Sequence, residues 1–456
     1  MRSREAAEFS RSYTCALKGD TVTNSINRRT LLKGAAGATA AVAASPIFHA
    51  PNVIAQSPTE ITYWGSFASG SVNGDAEAGM VERFNSSQTE VVVNYEFQGN
   101  YEETAQKLTA AIQANSVPDV CLLSDVWWFR FYLNNSLAPL NDFITANSVD
   151  TADYVDSLYN EGVRDGMTYW MPFARSTPLY YYNKDMFAEV GLSEAPKTWE
   201  EFTAVAPQLV QKDGDTITRA AFAHPSAGSY VAWLFQGVVW QFGGQYSDAD
   251  FNMQINEGGA VEAGNFYRSS VVDGWATTPA DVDADFLNGL TASMMASTGG
   301  LTRFLRDATF EFGTAFLPEG PAGFGCPTGG AGMSVMAGSD KQDAAFKFLA
   351  FGSTPENTAW WSQQTGYMPV RKSALELPEL VAFYDANPQA KVAVEQLAMT
   401  RAQDAARVFV PNGDQIIGGG LERILIDQEE VQPVFDDVAA ELTETAEPII
   451  EALAEL

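Results

Sequence analysis

Apolar and polar residues alternate along the first part of the chain in a pattern that predicts strands separated by helices. Three short apolar runs, at 61–64, 91–97 and 120–123, have the length and composition of strands. Between them, residues 76–84 and 102–114 place apolar side chains at helical spacing. Strand–helix–strand connections of this length are right-handed crossovers, so we expect a mainly parallel sheet covered by helices.

The loops that follow these strands are the first candidates for a binding site. In open sheets of this kind, ligands bind beyond the carboxyl ends of the strands. Here those loops are 65–67, 98–101 and 124–125, and they include Tyr101 and Asp125.

The pattern continues into a second region. Residues 179–182 predict a strand that leaves the first lobe, and Thr198 with Glu201 predicts a capping box at the start of a helix. Residues 292–296 predict a strand that runs into a helix near Ser297. The length of the chain and its pattern of strands and helices therefore both fit two α/β lobes.

The N-terminal segment has the pattern of an export signal. Arg28 and Arg29 form a twin-arginine motif, and a weakly apolar stretch rich in Gly and Ala follows at 34–44. This stretch is too short for a transmembrane helix and is broken by Pro46. We expect residues 1–55 to be a twin-arginine signal peptide, the protein to be periplasmic, and the mature chain to have no membrane span.

The charge balance restricts the possible partners. The whole chain has 27 basic and 57 acidic side chains, and the predicted signal peptide holds seven and three of them, which leaves a net charge of −34. Such a field repels nucleic acid and anionic lipid, so neither is an expected partner. It also means that an anionic ligand requires a basic group nearby.

Residues that commonly carry catalysis or bind metals are scarce. Cys121 and Cys326 lie in apolar or glycine-rich surroundings and are interpreted as small buried residues, with a disulfide as the open alternative. A single histidine outside the signal, His224, argues against a zinc site. The acidic run at 281–285 begins like a calcium loop but continues with Phe286 instead of glycine. We expect no catalytic residues, metal or cofactor.

Aromatic and glycine-rich turns remain as candidates for ligand contacts. The aromatic residues in or beside predicted loops are Trp64, Tyr101, Trp127, Trp128, Tyr230, Trp233 and Tyr367. Aromatic faces line sugar and polyol sites but also fill cores, so we favour the core for each tryptophan and the ligand for Tyr101 and Tyr367. Ser297 begins a predicted helix whose N–H groups suit a phosphate or hydroxyl, and Gly330 allows close backbone approach.

With these residues in place, the chain resembles the extracellular solute-binding protein family 1 over residues 61–415. The specific stretches are G-N-Y-E at 99–102, S-T-P-L-Y-Y-Y-N-K-D at 176–185 and T-G-Y-M-P-V at 365–370. The resemblance implies a bilobal α/β fold of the type II periplasmic-binding-protein class, with the ligand cleft between the lobes. It also implies a monomer that delivers a small ligand to the permease subunits of an ABC importer.

The expected division places residues 57–170 and 291–345 in the first lobe and residues 171–290 and 346–456 in the second. The alternative class is an extracytoplasmic glycan-processing enzyme, which would need an Asp/Glu pair facing the cleft at glycosidase separation.

Carried over residue by residue, the resemblance implies ligand contacts at Tyr101, Asp125, Ser297, Gly330 and Tyr367. The branch of the family that binds sn-glycerol-3-phosphate has a serine where this chain has Arg175, and a ligand-binding arginine where this chain has Ile417. A buried phosphate needs a cation or several N–H donors. We therefore expect Arg175 to supply the charge for sn-glycerol-3-phosphate or a related phosphodiester, with a neutral sugar or polyol as a close alternative.

Overall fold

The computed structural model describes residues 57–226 and 228–454, so the predicted signal peptide lies outside the described residues. The strands are β1 (Thr59–Gly65), β2 (Val91–Phe97), β3 (Val120–Ser124), β4 (Val163–Arg164), β5 (Met167–Thr168), β6 (Met171–Ser176), β7 (Pro178–Asn183), β8 (Gln211–Asp213), β9 (Thr216–Arg219), β10 (Phe222–Ala223), β11 (Ala276–Thr277), β12 (Ser293–Ser297), β13 (Phe312–Ala315) and β14 (Gly329–Val335). Within these residues, none of the helices has the length and hydropathy to cross a membrane.

The α-helices cover the faces of the sheets. They are α1 (Val72–Ser87), α2 (Tyr101–Gln113), α3 (Trp128–Leu133), α4 (Asn141–Ala146), α5 (Asp156–Tyr159), α6 (Lys184–Glu189), α7 (Trp199–Leu209), α8 (Gly228–Gln241), α9 (Gly258–Val272), α10 (Val282–Leu287), α11 (Leu301–Asp307), α12 (Gln342–Gly352), α13 (Pro355–Thr365), α14 (Pro378–Ala386), α15 (Pro388–Leu397), α16 (Ala405–Val408), α17 (Gly413–Leu425) and α18 (Val431–Ala454). Short 3-10 turns lie at Thr151–Asp153, Asn160–Gly162, Thr298–Gly300 and Ser373–Glu376.

The first sheet confirms the strand–helix pattern. Its order is β2-β1-β3-β14-β6, with β1 parallel to β2 and β3, and β14 antiparallel to β3 and β6. The helix α2 begins at a capping box in which Asn100 accepts from the Glu103 N–H and the Glu103 carboxylate accepts from the Asn100 N–H. Because β1, β2 and β3 are parallel, the loops after them meet at one edge of the sheet.

The second sheet has the order β11-β10-β12-β7-β13. β12 runs antiparallel to β7 and pairs Ser297 with Pro178, which places the Ser297 end of β12 where the chain passes between the sheets. Helix α8 is buried on most of its surface and packs against α17 and α9, as its almost wholly apolar sequence requires.

Three strands lie in the other sheet from the one that the expected division assigns. β6 belongs to the first sheet, and β12 and β13 belong to the second, although residues 171–290 were expected in the second lobe and 291–345 in the first. The chain crosses between the sheets at Thr177, between β6 and β7, rather than at residue 171. Pairing between strands that are distant in sequence decides which sheet each strand joins. The local apolar pattern gives no information on this pairing.

Other local predictions hold with small changes. Thr198 caps α7 by accepting from the Glu201 N–H at 3.1 Å, but the Glu201 carboxylate accepts from the Lys197 N–H, so the capping box is not closed. Cys121 and Cys326 are both buried and free, which confirms their interpretation as small buried residues.

Candidate ligand-binding site

A cavity of about 370 Å³, here called the ligand cavity, lies where loops of both sheets meet. Its lining residues come from the ends of first-sheet strands, from α8 and β12 beside the second sheet, and from the C-terminal region. They are Asn100, Tyr101, Glu102, Ser124, Asp125, Val126, Trp127, Ser176, Ser229, Tyr230, Trp233, Ser297, Gly330, Tyr367, Arg407, Asp414 and Gln415.

The structure brings five of the six predicted contact residues to this cavity. Tyr101, Asp125, Ser297, Gly330 and Tyr367 all line it, although they are spread over 267 positions of the chain. The sixth, Arg175, is not among the residues that line it.

Two tyrosines form one wall. The hydroxyl groups of Tyr101 and Tyr367 lie 3.5 Å apart, and the Tyr367 ring stacks on Trp361 with centroids 5.9 Å apart. Burial raises the pKa of Tyr367 to about 12 and raises that of Tyr101 as well. Both hydroxyl groups are therefore neutral near pH 7 and can donate to or accept from a ligand.

Asp125 is held beside a glycine turn. Its backbone N–H donates to the Gly330 carbonyl oxygen at 3.0 Å, and its Oδ2 accepts from Gln403 Nε2 at 2.5 Å. Gly330 has a φ of 103°, and a Cβ there would overlap the carbonyl oxygen of Ala174. The backbone at Gly330 thus closely approaches strand β6, and the expected approach to a ligand at this glycine stays a prediction.

Ser297 differs in detail from the expectation. Its N–H donates to the Tyr230 hydroxyl at 2.8 Å, and its Oγ accepts from the Gly299 N–H at 3.1 Å. The backbone donors that were expected to face a phosphate are therefore partly used within the protein. The Tyr230 ring, fixed by the Ser297 N–H, lines the cavity instead.

The position of Arg175 differs from the sequence-based expectation that this residue supplies the cation at the site. Successive strand residues point to opposite faces, and Ser176 lines the cavity while the Arg175 side chain is 0% exposed. The Arg175 guanidinium pairs with Glu161 at 2.5 Å and lies 4.9 Å from the centre of the Trp170 ring. Its charge is balanced behind the cavity wall.

Arg407 is the cation at the ligand cavity, and the sequence analysis missed it. It lies on the short helix α16 and is 5% exposed. Its guanidinium donates to Gln403 Oε1 and lies 4.0 Å from Asp125 Oδ2. The available signal was a single arginine inside an apolar run at 405–410. Ile417, aligned with the relative's arginine, is instead 0% exposed in the core.

Asp414 adds a second buried carboxylate. It is 2% exposed and accepts from Ser229 Oγ at 2.6 Å. Burial raises the pKa of Asp414, and the nearby Arg407 opposes that shift. Among the described lining residues, the cavity thus combines one guanidinium with two buried carboxylates, while a third carboxylate, that of Glu102, is exposed.

The candidate aromatic residues divide between site and core. Trp127, Tyr230 and Trp233 line the ligand cavity, which was not expected of the two tryptophans. Trp128 stacks on Trp170 in the core, as expected. Trp64 donates to Glu96 at the surface.

Comparison with known proteins agrees with this architecture. Residues 79–392 match the family model of bacterial extracellular solute-binding proteins. The sn-glycerol-3-phosphate-binding periplasmic protein UgpB of Pectobacterium atrosepticum is 28% identical over 365 residues, which are 75% of this chain and 80% of that protein.

Solved structures extend the comparison. The crystal structure of UgpB from Mycobacterium tuberculosis in complex with glycerophosphocholine is 40% identical, with a TM-score of 0.81 and coverage of 86% of this chain and 99% of that one. The cyclic alpha-maltosyl-1,6-maltose binding protein from Arthrobacter globiformis is 26% identical, with a TM-score of 0.70 and coverage of 85% and 99%. Proteins of this architecture have two lobes with the ligand between them, which confirms the expected bilobal α/β fold.

Proposed function

Because the chain belongs to the bacterial extracellular solute-binding proteins and is the substrate-binding component of an ABC importer, we propose that its ligand is a glycerophosphodiester with a cationic head group. Glycerophosphocholine is the representative compound. The observation that carries this proposal is the buried guanidinium of Arg407 beside the buried carboxylates of Asp125 and Asp414 in the ligand cavity.

The charges of the cavity favour a zwitterion. A phosphodiester carries one negative charge, which Arg407 can match by charge-assisted hydrogen bonds. A phosphomonoester such as sn-glycerol-3-phosphate carries nearly two, and it would face Asp125 and Asp414 with the same single cation. Two unit charges 4 Å apart interact by about 4 kcal/mol at an effective dielectric constant of 20, so the second negative charge is costly.

The aromatic walls favour the cationic head. Trp127, Trp233, Tyr101 and Tyr367 line the same cavity as the two carboxylates. Aromatic faces attract quaternary ammonium groups, by about 2 kcal/mol or more where both are desolvated. The similar protein from Mycobacterium tuberculosis was crystallised with glycerophosphocholine, which supports the same class of ligand here.

A neutral oligosaccharide is the second candidate. The Arg407 guanidinium already contacts Gln403 and faces Asp125, so the cavity's charges partly balance one another. The same aromatic walls suit the apolar faces of sugar rings. The similarity to a maltosyl-maltose binding protein points the same way.

We propose that the protein binds this ligand without chemical turnover and reaches the periplasm through the twin-arginine route. The first statement rests on the solute-binding relatives, and the second on Arg28 and Arg29 in the predicted signal peptide. Replacing both arginines by lysine should retain folded precursor in the cytoplasm, because that route reads the arginine pair.

Calorimetry on the mature protein tests the ligand. We expect glycerophosphocholine to bind at least tenfold more tightly than sn-glycerol-3-phosphate or maltotetraose, and mass spectrometry to recover it unchanged. Tighter binding of the oligosaccharide would favour the second candidate. Conversion of the oligosaccharide to products would favour the glycan-processing enzyme, and cleavage of the diester would contradict binding without turnover.

A further inference from the structure

A second cavity of about 310 Å³ adjoins the ligand cavity. Tyr230, Ser297 and Tyr367 line both cavities, so the second begins where the first ends. Its further walls carry the polar residues Ser71, Asn73, Asp283 and Arg303.

The two charged residues of this second cavity form an open pair. Arg303 NH1 donates to Asp283 Oδ2 at 3.2 Å, and the side chains remain 39% and 28% exposed. Over residues 57–226 and 228–454, neither side chain makes another hydrogen bond. The other carboxylate oxygen of Asp283 and the remaining N–H groups of Arg303 are therefore free to bind a guest.

Part of the wall of the second cavity is formed by a contact between segments that follow strands of the two sheets. Asn73, on α1 after β1, donates from Nδ2 to the Gly299 carbonyl oxygen after β12, at 3.1 Å. A group that enters from the ligand cavity thus meets the Asp283–Arg303 pair in a space bounded by both sheets' loops.

The chemistry of the Asp283–Arg303 pair selects hydroxyl groups. A carboxylate acceptor beside guanidinium donors matches neighbouring hydroxyls, each of which can donate one hydrogen bond and accept another. The pair has no net charge, so it gives little attraction to a phosphate or an ammonium group. Partial burial raises the pKa of Asp283, while Arg303 opposes that shift.

We propose that the second cavity binds a polyol head group, the alcohol esterified to the phosphate opposite the glycerol, of a phosphodiester that the ligand cavity holds. On this basis, which rests on the proposed function, the protein accepts glycerophosphodiesters with a hydroxyl-rich head as well as the choline ester. The bound ligand would extend from one cavity into the other beside Tyr230, Ser297 and Tyr367, which line both cavities.

The test compares two ligands in matched variants. Calorimetry with glycerophosphocholine and glycerophosphoinositol is done on wild type, Asp283→Asn and Arg303→Gln. Arg306→Gln is the control, because Arg306 lies on the same helix α11 and is exposed in a pair with Asp307. We expect wild type to bind both ligands, and each test variant to bind the inositol ester at least fivefold more weakly. The same variants should bind the choline ester within twofold of wild type, and the control should change neither.

Each other outcome decides between the two proposals. If wild type binds the choline ester but not the inositol ester, or if the variants affect both ligands equally, the second cavity is not a polyol site and the proposed function stands. If wild type binds neither diester, both proposals fail. Unchanged binding of the inositol ester in both Asp283→Asn and Arg303→Gln would show that the cavity holds only water.

Discussion

Arg175 and Arg407 are two buried arginines close to the ligand cavity, and their surroundings differ in one decisive way. Arg175 has its own carboxylate, Glu161, at 2.5 Å, and Glu161 also accepts from Thr328 at 2.6 Å. Arg407 lies 4.0 Å from Asp125. Both guanidinium groups keep N–H groups without a hydrogen-bond partner among the described residues, but only Arg407 lines the ligand cavity.

This difference separates a structural cation from a cation that can bind a ligand. A guanidinium that is already matched at short range has little charge to offer, whereas one held loosely at a cavity wall can form new charge-assisted hydrogen bonds. The sequence predicts Arg175 as the cation for the ligand, because Arg175 directly precedes the S-T-P stretch. The pairing of each arginine in the fold favours Arg407 instead.

Replacing Arg175 by Met should have the largest effect, and it should act on stability. Removing one partner of a buried ion pair costs about 3–5 kcal/mol, because Glu161 is left uncompensated. Denaturant unfolding should show this loss, and adding Glu161→Gln should recover part of it. The folded variant should bind glycerophosphocholine within threefold of wild type. A stable Arg175→Met protein that no longer binds would reverse the roles of the two arginines.

Glu77 extends the comparison to a buried carboxylate that has no cationic partner within residues 57–226 and 228–454. It is 1% exposed and accepts from the Tyr63 and Tyr95 hydroxyls at 2.5 and 2.7 Å, and burial raises its pKa from 4.5 to about 7. The folded protein holds a proton that the unfolded chain has released above pH 4.5. Raising the pH from 4.5 to 7 therefore lowers the free energy of unfolding, by about 3 kcal/mol over the whole interval.

Unfolding of wild type and Glu77→Gln at several pH values checks this prediction. Wild type should lose about 3 kcal/mol more than the variant between pH 4.5 and 7.5, because a glutamine side chain does not titrate. Parallel pH dependence in the two proteins would mean that Glu77 keeps an ordinary pKa in the folded state.

Asp414→Asn should change the ligand preference with a smaller effect. The amide oxygen can still accept from Ser229, so the substitution removes mainly a negative charge from the cavity. The preference for glycerophosphocholine over sn-glycerol-3-phosphate should fall by about thirtyfold, or about 2 kcal/mol. Calorimetry with both ligands measures it, with the exposed Asp385→Asn on α14 as control. An unchanged preference would contradict the charge argument.

The fold was largely predictable where neighbouring elements are also neighbours in sequence. β2 has the predicted bounds, and β1 and β3 extend the predicted strands by at most two residues at either end. The crossover rule then fixes their parallel pairing. The placement of β6, β12 and β13 in the sheets was not predictable, because it depends on pairing between segments over a hundred residues apart.

The site was predictable where residue type and backbone geometry coincide. Gly330 has a positive φ, and Tyr367 follows the left-handed Gly366 that ends α13, so both positions carry a local signal. Arg407 carries none of this kind. Its position depends on how the segment 401–410 packs, with Asp404 accepting from Trp240 Nε1 and from the Tyr246 N–H.

Calorimetry of glycerophosphocholine with Arg407→Gln tests the central claim most directly. The matched control is Arg401→Gln, since Arg401 lies six residues earlier, is exposed, and packs over the Trp240 ring at 3.9 Å. We predict at least tenfold weaker binding for Arg407→Gln, about 1.4 kcal/mol or more, and wild-type affinity for the control. Binding by Arg407→Gln within twofold of wild type would show that Arg407 does not hold the phosphate, and the account of the site would be wrong.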